Sequence, residues 1–285
     1  QMINNHYDEL VNAINGMQAG DGDLEATLPI LKTALQKEFP GKMSEALDYM
    51  QSNKLYDFSA EPNKMHAGYT TILNEYSAPF MFINSSDYRQ PDTVIHEFGH
   101  YYNFYLMPEL KWNDNNNLDA AEIHSQALEL LMQPYYDQFF GADQAEGQKI
   151  YSVYSIISNI LQGCAEDEFQ QAVFANPDLT LEEVNELHSE IFYQFTGSEL
   201  YYEWVEIHHH FETPFYYVSY ATSAISALEI WAQSLDDRNQ ALSTYNQITQ
   251  FTTNFKYRDA LTSSGLKDPF TSDCVSEIAE KVKGL

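Results

Sequence analysis

His96-Glu97-Phe98-Gly99-His100 is an H-E-x-x-H sequence set in a helical pattern. Residues four apart share a helix face, so both imidazoles can bind one ion. Glu97 follows the first imidazole by one residue, which aims its carboxylate at the ion's open position without ligating it. Imidazole nitrogen and carboxylate oxygen are usual zinc ligands, and a catalytic zinc keeps one position for water. Chance is the competing explanation for such a pentapeptide. Against it, Gly99 costs a helix about 1 kcal/mol relative to alanine, a cost that makes sense if another backbone must pass close by. Val94, Ile95 and Phe98 mark the helix as buried, where unpaired histidines are expensive.

The third ligand should stand on a neighbouring helix. The next helical segment offers Glu122, with Asp119, His124 and Glu129 as competitors. His124 points away if Glu122 faces the ion, because residues two apart lie on different helix faces. Glu129 returns to nearly the same face two turns later. That suits a carboxylate that accepts the N–H of a ligand imidazole and fixes its tautomer.

Three ordered segments resemble the oligoendopeptidase F and thimet oligopeptidase family of zinc peptidases. They are His96–His100, Glu122-Ile-His-Ser-Gln-Ala-Leu-Glu129 and His210-Phe-Glu-Thr-Pro-Phe-Tyr-Tyr-Val-Ser-Tyr-Ala-Thr222; the stretch from Lys64 to Asn84 resembles the family's strands ahead of the zinc helix. The resemblance implies a zincin-like helical catalytic domain. It implies one Zn2+ held by His96, His100 and Glu122, with Glu97 as general base and Glu129 as the acidic residue behind the ligands. His210 matches a histidine near the scissile carbonyl. Tyr216 and Tyr220 fall on aromatic positions after it, with Tyr217 a near alternative. Such proteins cleave short peptides inside a deep channel. Two departures stand out: Asn103 replaces a histidine common in the family, and the Tyr-Val-Ser-Tyr register differs from the usual alternating tyrosines. Family chains are also longer; residues 1–285 would form one catalytic domain with the helical N-terminal portion absent or reduced. The run His208-His209-His210 also has a plain reading as a polar surface tract.

The elements that must position these groups are mostly helices. Helical periodicity covers residues 4–17, 23–39 and 42–51, broken at Gly20-Asp21-Gly22 and Pro40-Gly41. Aromatic and β-branched runs at 68–73 and 79–84 predict two short strands. Helical pattern then returns over 91–107, 118–140 and 143–176, the last bent or ended at Gly163, with a polar Asn-rich loop at 112–117. Thr180 and Glu183 form a capping-box signature, and Pro214 can open a helix to about residue 236. The fold class is mainly α with a small β-sheet beside the zinc helix.

With 14 Lys+Arg against 42 Asp+Glu, the net charge is −28. Such a chain is repelled by phosphate backbones and anionic lipid, so nucleic acid and membrane surfaces are excluded as partners. No run of about 18 apolar residues marks a membrane span. No basic-then-apolar leader opens the chain, which gives cytoplasmic as the expected location. The two cysteines, Cys164 and Cys274, read as core thiols. Nothing in the sequence fixes an oligomeric state.

The expected function is zinc-dependent endopeptidase action on short peptides. Glu97 would activate a metal-held water, and the oxyanion would be stabilised by zinc, His210 and a tyrosine. Two alternatives remain: a catalytically silent zinc- or peptide-binding module, and a related gluzincin with dipeptidase or carboxypeptidase action.

Overall fold

The computed structural model describes residues 11, 12, 14, 15, 23–65, 67–85, 90–107, 118–197, 203–251 and 255–285. Most of the helix expected over 4–17, the 20–22 break, His6, His66 and the Asn-rich loop lie outside these residues.

A 3-10 turn at Leu24–Ala26 leads into α1 (Thr27–Glu38) and α2 (Lys42–Ser52). Their apolar residues recur at helical spacing, Leu28, Leu31 and Leu35 on one and Met43, Leu47 and Met50 on the other, so both bury a continuous stripe. Three short strands follow: β1 (Tyr56–Asp57), β2 (Gly68–Leu73) and β3 (Ala78–Ile83). β2 and β3 form an antiparallel hairpin running from Gly68 opposite Ile83 to Leu73 opposite Ala78. β1 joins β3 in parallel, so β3 is central and β2 forms an edge.

The remaining helices are α3 (Pro91–Tyr105), α4 (Ile123–Leu131), α5 (Tyr136–Phe140), α6 (Ala145–Ala175), α7 (Leu181–Thr196), α8 (His209–Glu212), α9 (Val218–Asp236), α10 (Arg238–Ile248), α11 (Tyr257–Ser263) and α12 (Ser272–Lys283). α3 lies between the sheet and α4, and α9 packs along α4 and α6. The main core joins α1–α5 to the sheet through Leu31, Leu47, Met81, Ile95, Phe98 and Leu128. A second cluster around Trp231 ties α6 and α9 to α12. A third, with Phe169, Ile191 and Phe192, seals α7 onto α6. Among the described residues no helix is long and apolar enough to cross a membrane.

The architecture is mainly α with a small sheet. Local details differ from the sequence reading. Among the described residues the sheet has three strands; the unexpected one, β1, contributes only two residues and carries no alternation to detect. The segment 118–140 is two α-helices and two 3-10 turns, broken where Pro134 cannot donate an N–H. α6 runs unbroken through Gly163, whose role is close packing. Pro214 opens no helix. The chain turns instead at Phe215, which holds a left-handed φ of 64°, and α9 begins at Val218. Thr180 does cap α7, with both bonds of the capping box made. Cys164 and Cys274 are free thiols, the second buried.

Candidate metal centre and active-site cleft

α3 presents His96 and His100 one turn apart, their Nε2 atoms 3.3 Å from each other. Glu122, the residue before α4, brings Oε2 to 3.2 Å from His96 Nε2 and 3.3 Å from His100 Nε2. Its own carboxylate is steadied by Ser125, whose hydroxyl donates to Oε2 at 2.9 Å.

Gly99 explains how α4 comes this near. A Cβ there would meet His124 O at 2.6 Å and Ser125 Cα at 2.7 Å. With no side chain at that position, the start of α4 lies directly on α3. From behind, the Tyr245 hydroxyl donates to His124 O at 3.0 Å and holds the crossing. His124 itself is turned into the interior, where burial pushes its imidazole down to about 3. Asp119 is engaged elsewhere, accepting from the Ser219 hydroxyl at 3.0 Å. Of the four competing residues, Glu122 is the one whose carboxylate oxygen stands with both imidazole nitrogens.

The grouping suits a cation. A tetrahedral ion about 2.0–2.1 Å from each donor spaces the donors by about 3.3–3.4 Å. The three donor atoms form a triangle of nearly that size, with edges of 3.2, 3.3 and 3.3 Å. Glu129 Oε1 lies 2.6 Å from His96 Nδ1, on the side away from Glu122. Burial disfavours a charged His96, yet the two carboxylates outweigh burial and raise its pKa well above the ordinary value. For Glu122 burial acts upward, but His100 and His96 hold the carboxyl well below its usual range. The centre therefore concentrates negative potential where a positive charge would sit.

Glu97 is buried beside this group but is not one of the three donors. The Thr70 hydroxyl, from β2, lies 2.9 Å from Glu97 Oε2 and 3.0 Å from its backbone carbonyl. A cavity of about 420 Å³ opens here. Gly68, Tyr69 and Thr70 of β2 form one wall, and Asn159 and Gln162 of α6 with Tyr217 and Tyr220 form another.

The histidine run divides by one residue. Neither His209 nor His210 is among the residues lining this cavity; His210 is buried, with Nε2 3.3 Å from Glu166 Oε2 and its ring 6.1 Å from that of Tyr217. His209 is half-buried among Tyr216, Tyr217 and Tyr220, at ring-centroid distances of 5.1, 5.7 and 5.8 Å. Burial lowers its pKa, opposed in part by the carboxylates of Glu212 and Glu122, so the ring is neutral at neutral pH. Burial also raises the pKa values of Tyr216, to about 12, and of Tyr220, with Glu122 adding to both. Their hydroxyls thus remain proton donors. Tyr217 rises too, by burial and then by Glu166. Asn103 is buried and donates to Thr249 O at 2.8 Å, so it serves packing of α3 on the end of α10. Thr70, Asn159 and Gln162, which line the cavity, escaped the sequence reading, and His209 was read there only as part of a polar histidine run. They come from strand and helix faces that only tertiary packing brings together.

No protein-family model matches the sequence, and no curated protein matches it. Solved structures do. One is PZ peptidase A with an inhibitor, at TM-score 0.81 and 26% identity over 93% of this chain and 49% of that one. Another, described as oligoendopeptidase F, gives TM-score 0.82 and 26% identity over the same shares. An oligoendopeptidase F structure from Bacillus anthracis shares the fold at TM-score 0.78 and 24% identity, over 93% of this chain and 46% of that one. The chain spans about half the length of these structures. The oligoendopeptidase F and PZ peptidase structures are thus built as this chain is, and that likeness supports the family to which its motif segments point.

Proposed function

We propose that the chain is a zinc-dependent endopeptidase acting on short peptides. The observation that carries this reading is the donor triangle of His96, His100 and Glu122 with Glu97 held beside it at a cavity. His96, His100 and Glu122 would hold the zinc, which would supply Lewis-acid chemistry there. Glu97 takes the proton from the attacking water and delivers it to the leaving amine. Thr70 holds Glu97 toward the cavity. Tyr220, with Tyr216 and Tyr217 beside it, donates to the developing oxyanion. His209 takes the role expected of His210, since a neutral imidazole can donate an N–H and its neighbours Tyr217 and Tyr220 line the cavity. The β2 edge can pair with an extended peptide backbone.

The test is cleavage of an internally quenched peptide library by the purified chain. Turnover that chelator removes and zinc restores is expected. Zinc binding without turnover would support the silent-module alternative, and release of terminal residues alone would support the carboxypeptidase alternative.

Two further outcomes are expected. Glu129→Gln lowers zinc affinity by about 10–100-fold, measured by competition with a chromogenic chelator, because His96 loses the partner that orients it. Tyr220→Phe lowers kcat by about 10²-fold with zinc content unchanged. An unchanged kcat would move the donor role to Tyr216 or Tyr217.

A further inference from the structure

Behind the cleft, one face of α6 grips the chain segment that carries His209 and the tyrosines. Gly163 allows contact with α9, since a Cβ there would meet Ala221 Cβ at 2.9 Å and Tyr217 O at 3.2 Å. One turn on, Glu166 reaches the segment through His210. A further turn on, Gln170 Oε1 accepts the N–H of Phe215 at 2.9 Å, where φ is 64°. Spacings of three and four put these residues on a common face.

Glu166 needs a reason. It is a carboxylate only 1% exposed. His188 Nε2 lies 3.3 Å from Oε1, and His210 Nε2 lies 3.3 Å from Oε2. Ala165, Phe169, Ile191 and Phe192 surround this site with an apolar cluster. Burying such a charge with its partners rarely adds stability over apolar packing of the same volume. A second metal centre is not the explanation, because among the described residues the donor atoms that converge are those of His96, His100 and Glu122. The carboxylate stands between two imidazoles: it pairs with His188 through Oε1, and its Oε2 lies 3.3 Å from His210 Nε2, in α8 next to His209, at a distance that suits an ion pair and without hydrogen-bond geometry.

We propose that Glu166 is a positioning residue for the cleft: by holding His210 and His188 it sets the α8 turn so that the adjacent His209 and the following tyrosines face the metal side. The inference rests on the peptidase reading. Glu166 is not one of the donor triangle; its contacts are the two imidazoles, and its charge is also felt at Tyr217.

The test is Glu166→Gln, which keeps volume and removes the charge, combined with His209→Ala in a double-mutant cycle on the zinc-loaded chain. Glu166→Gln is expected to lower kcat by about 10–100-fold, the scale of a misplaced reacting group, with KM and zinc content unchanged. In the His209→Ala background the same substitution should have little further effect. Wild-type kcat, equal losses in both backgrounds, or loss of zinc in step with activity would overturn the proposal. A second readout needs no turnover: in histidine-labelled protein, Glu166→Gln should move the ring NMR signals of His188, His210 and His209 together. Unmoved His209 signals would overturn the proposal even if the wild-type chain cleaves no peptide.

Discussion

Glu97→Gln is expected to lower kcat for peptide cleavage by about 10²–10⁴-fold while zinc content stays at the wild-type level. The carboxylate is buried, stands outside the donor triangle and lies 2.9 Å from the Thr70 hydroxyl. Glutamine has nearly the same shape and keeps an oxygen for Thr70, so the helix and the donors are undisturbed. What it cannot do is accept a proton from water. Steady-state kinetics with metal analysis on the same sample checks this. Activity near wild type would remove Glu97 from the chemistry, and loss of zinc would make it a ligand or a structural support.

The second large effect is expected at a residue with no functional group. Gly99→Ala puts a methyl 2.6–2.9 Å from three backbone atoms of His124 and Ser125. None can swing aside as a side chain would, so α3 and α4 must separate or slide. Overpacking of this kind costs about 1–3 kcal/mol. The displacement falls on the crossing that carries Glu122 to the two imidazoles. Thermal unfolding should shift down and zinc affinity should fall by at least about tenfold. Full zinc affinity in this variant would mean that the close crossing does not set the ligand geometry.

These residues show what was legible in the sequence. His96, Glu97 and His100 are readable because a helix fixes their relation locally. The glycine between them was legible as a cost without local benefit, and the structure supplies the benefit. Glu122 was narrowed to a short segment, but its choice over Asp119, His124 and Glu129 depends on how two helices cross, which no local period encodes. The mainly helical class and the two strands β2 and β3 followed from pattern alone. Proline chemistry was under-read at Pro134, where a helix ends. It was over-read at Pro214, where the buried Gln170 side chain binds the Phe215 N–H and holds a turn in place of a helix start. The choice between His209 and His210 turns on a single residue of register in a short helix. The residue that stands 3.3 Å from His210, Glu166, is distant in the chain and in the sequence is one acidic residue among many.

The central claim is tested most directly by X-ray diffraction from crystals grown with zinc, with anomalous differences collected on either side of the zinc absorption edge. One edge-specific peak is expected, within about 2.0–2.2 Å of Nε2 of His96, Nε2 of His100 and a carboxylate oxygen of Glu122, with Glu97 beside it but outside ligand distance. A zinc-loaded chain whose ion sits on other residues, or density in which these three side chains diverge, would contradict the account.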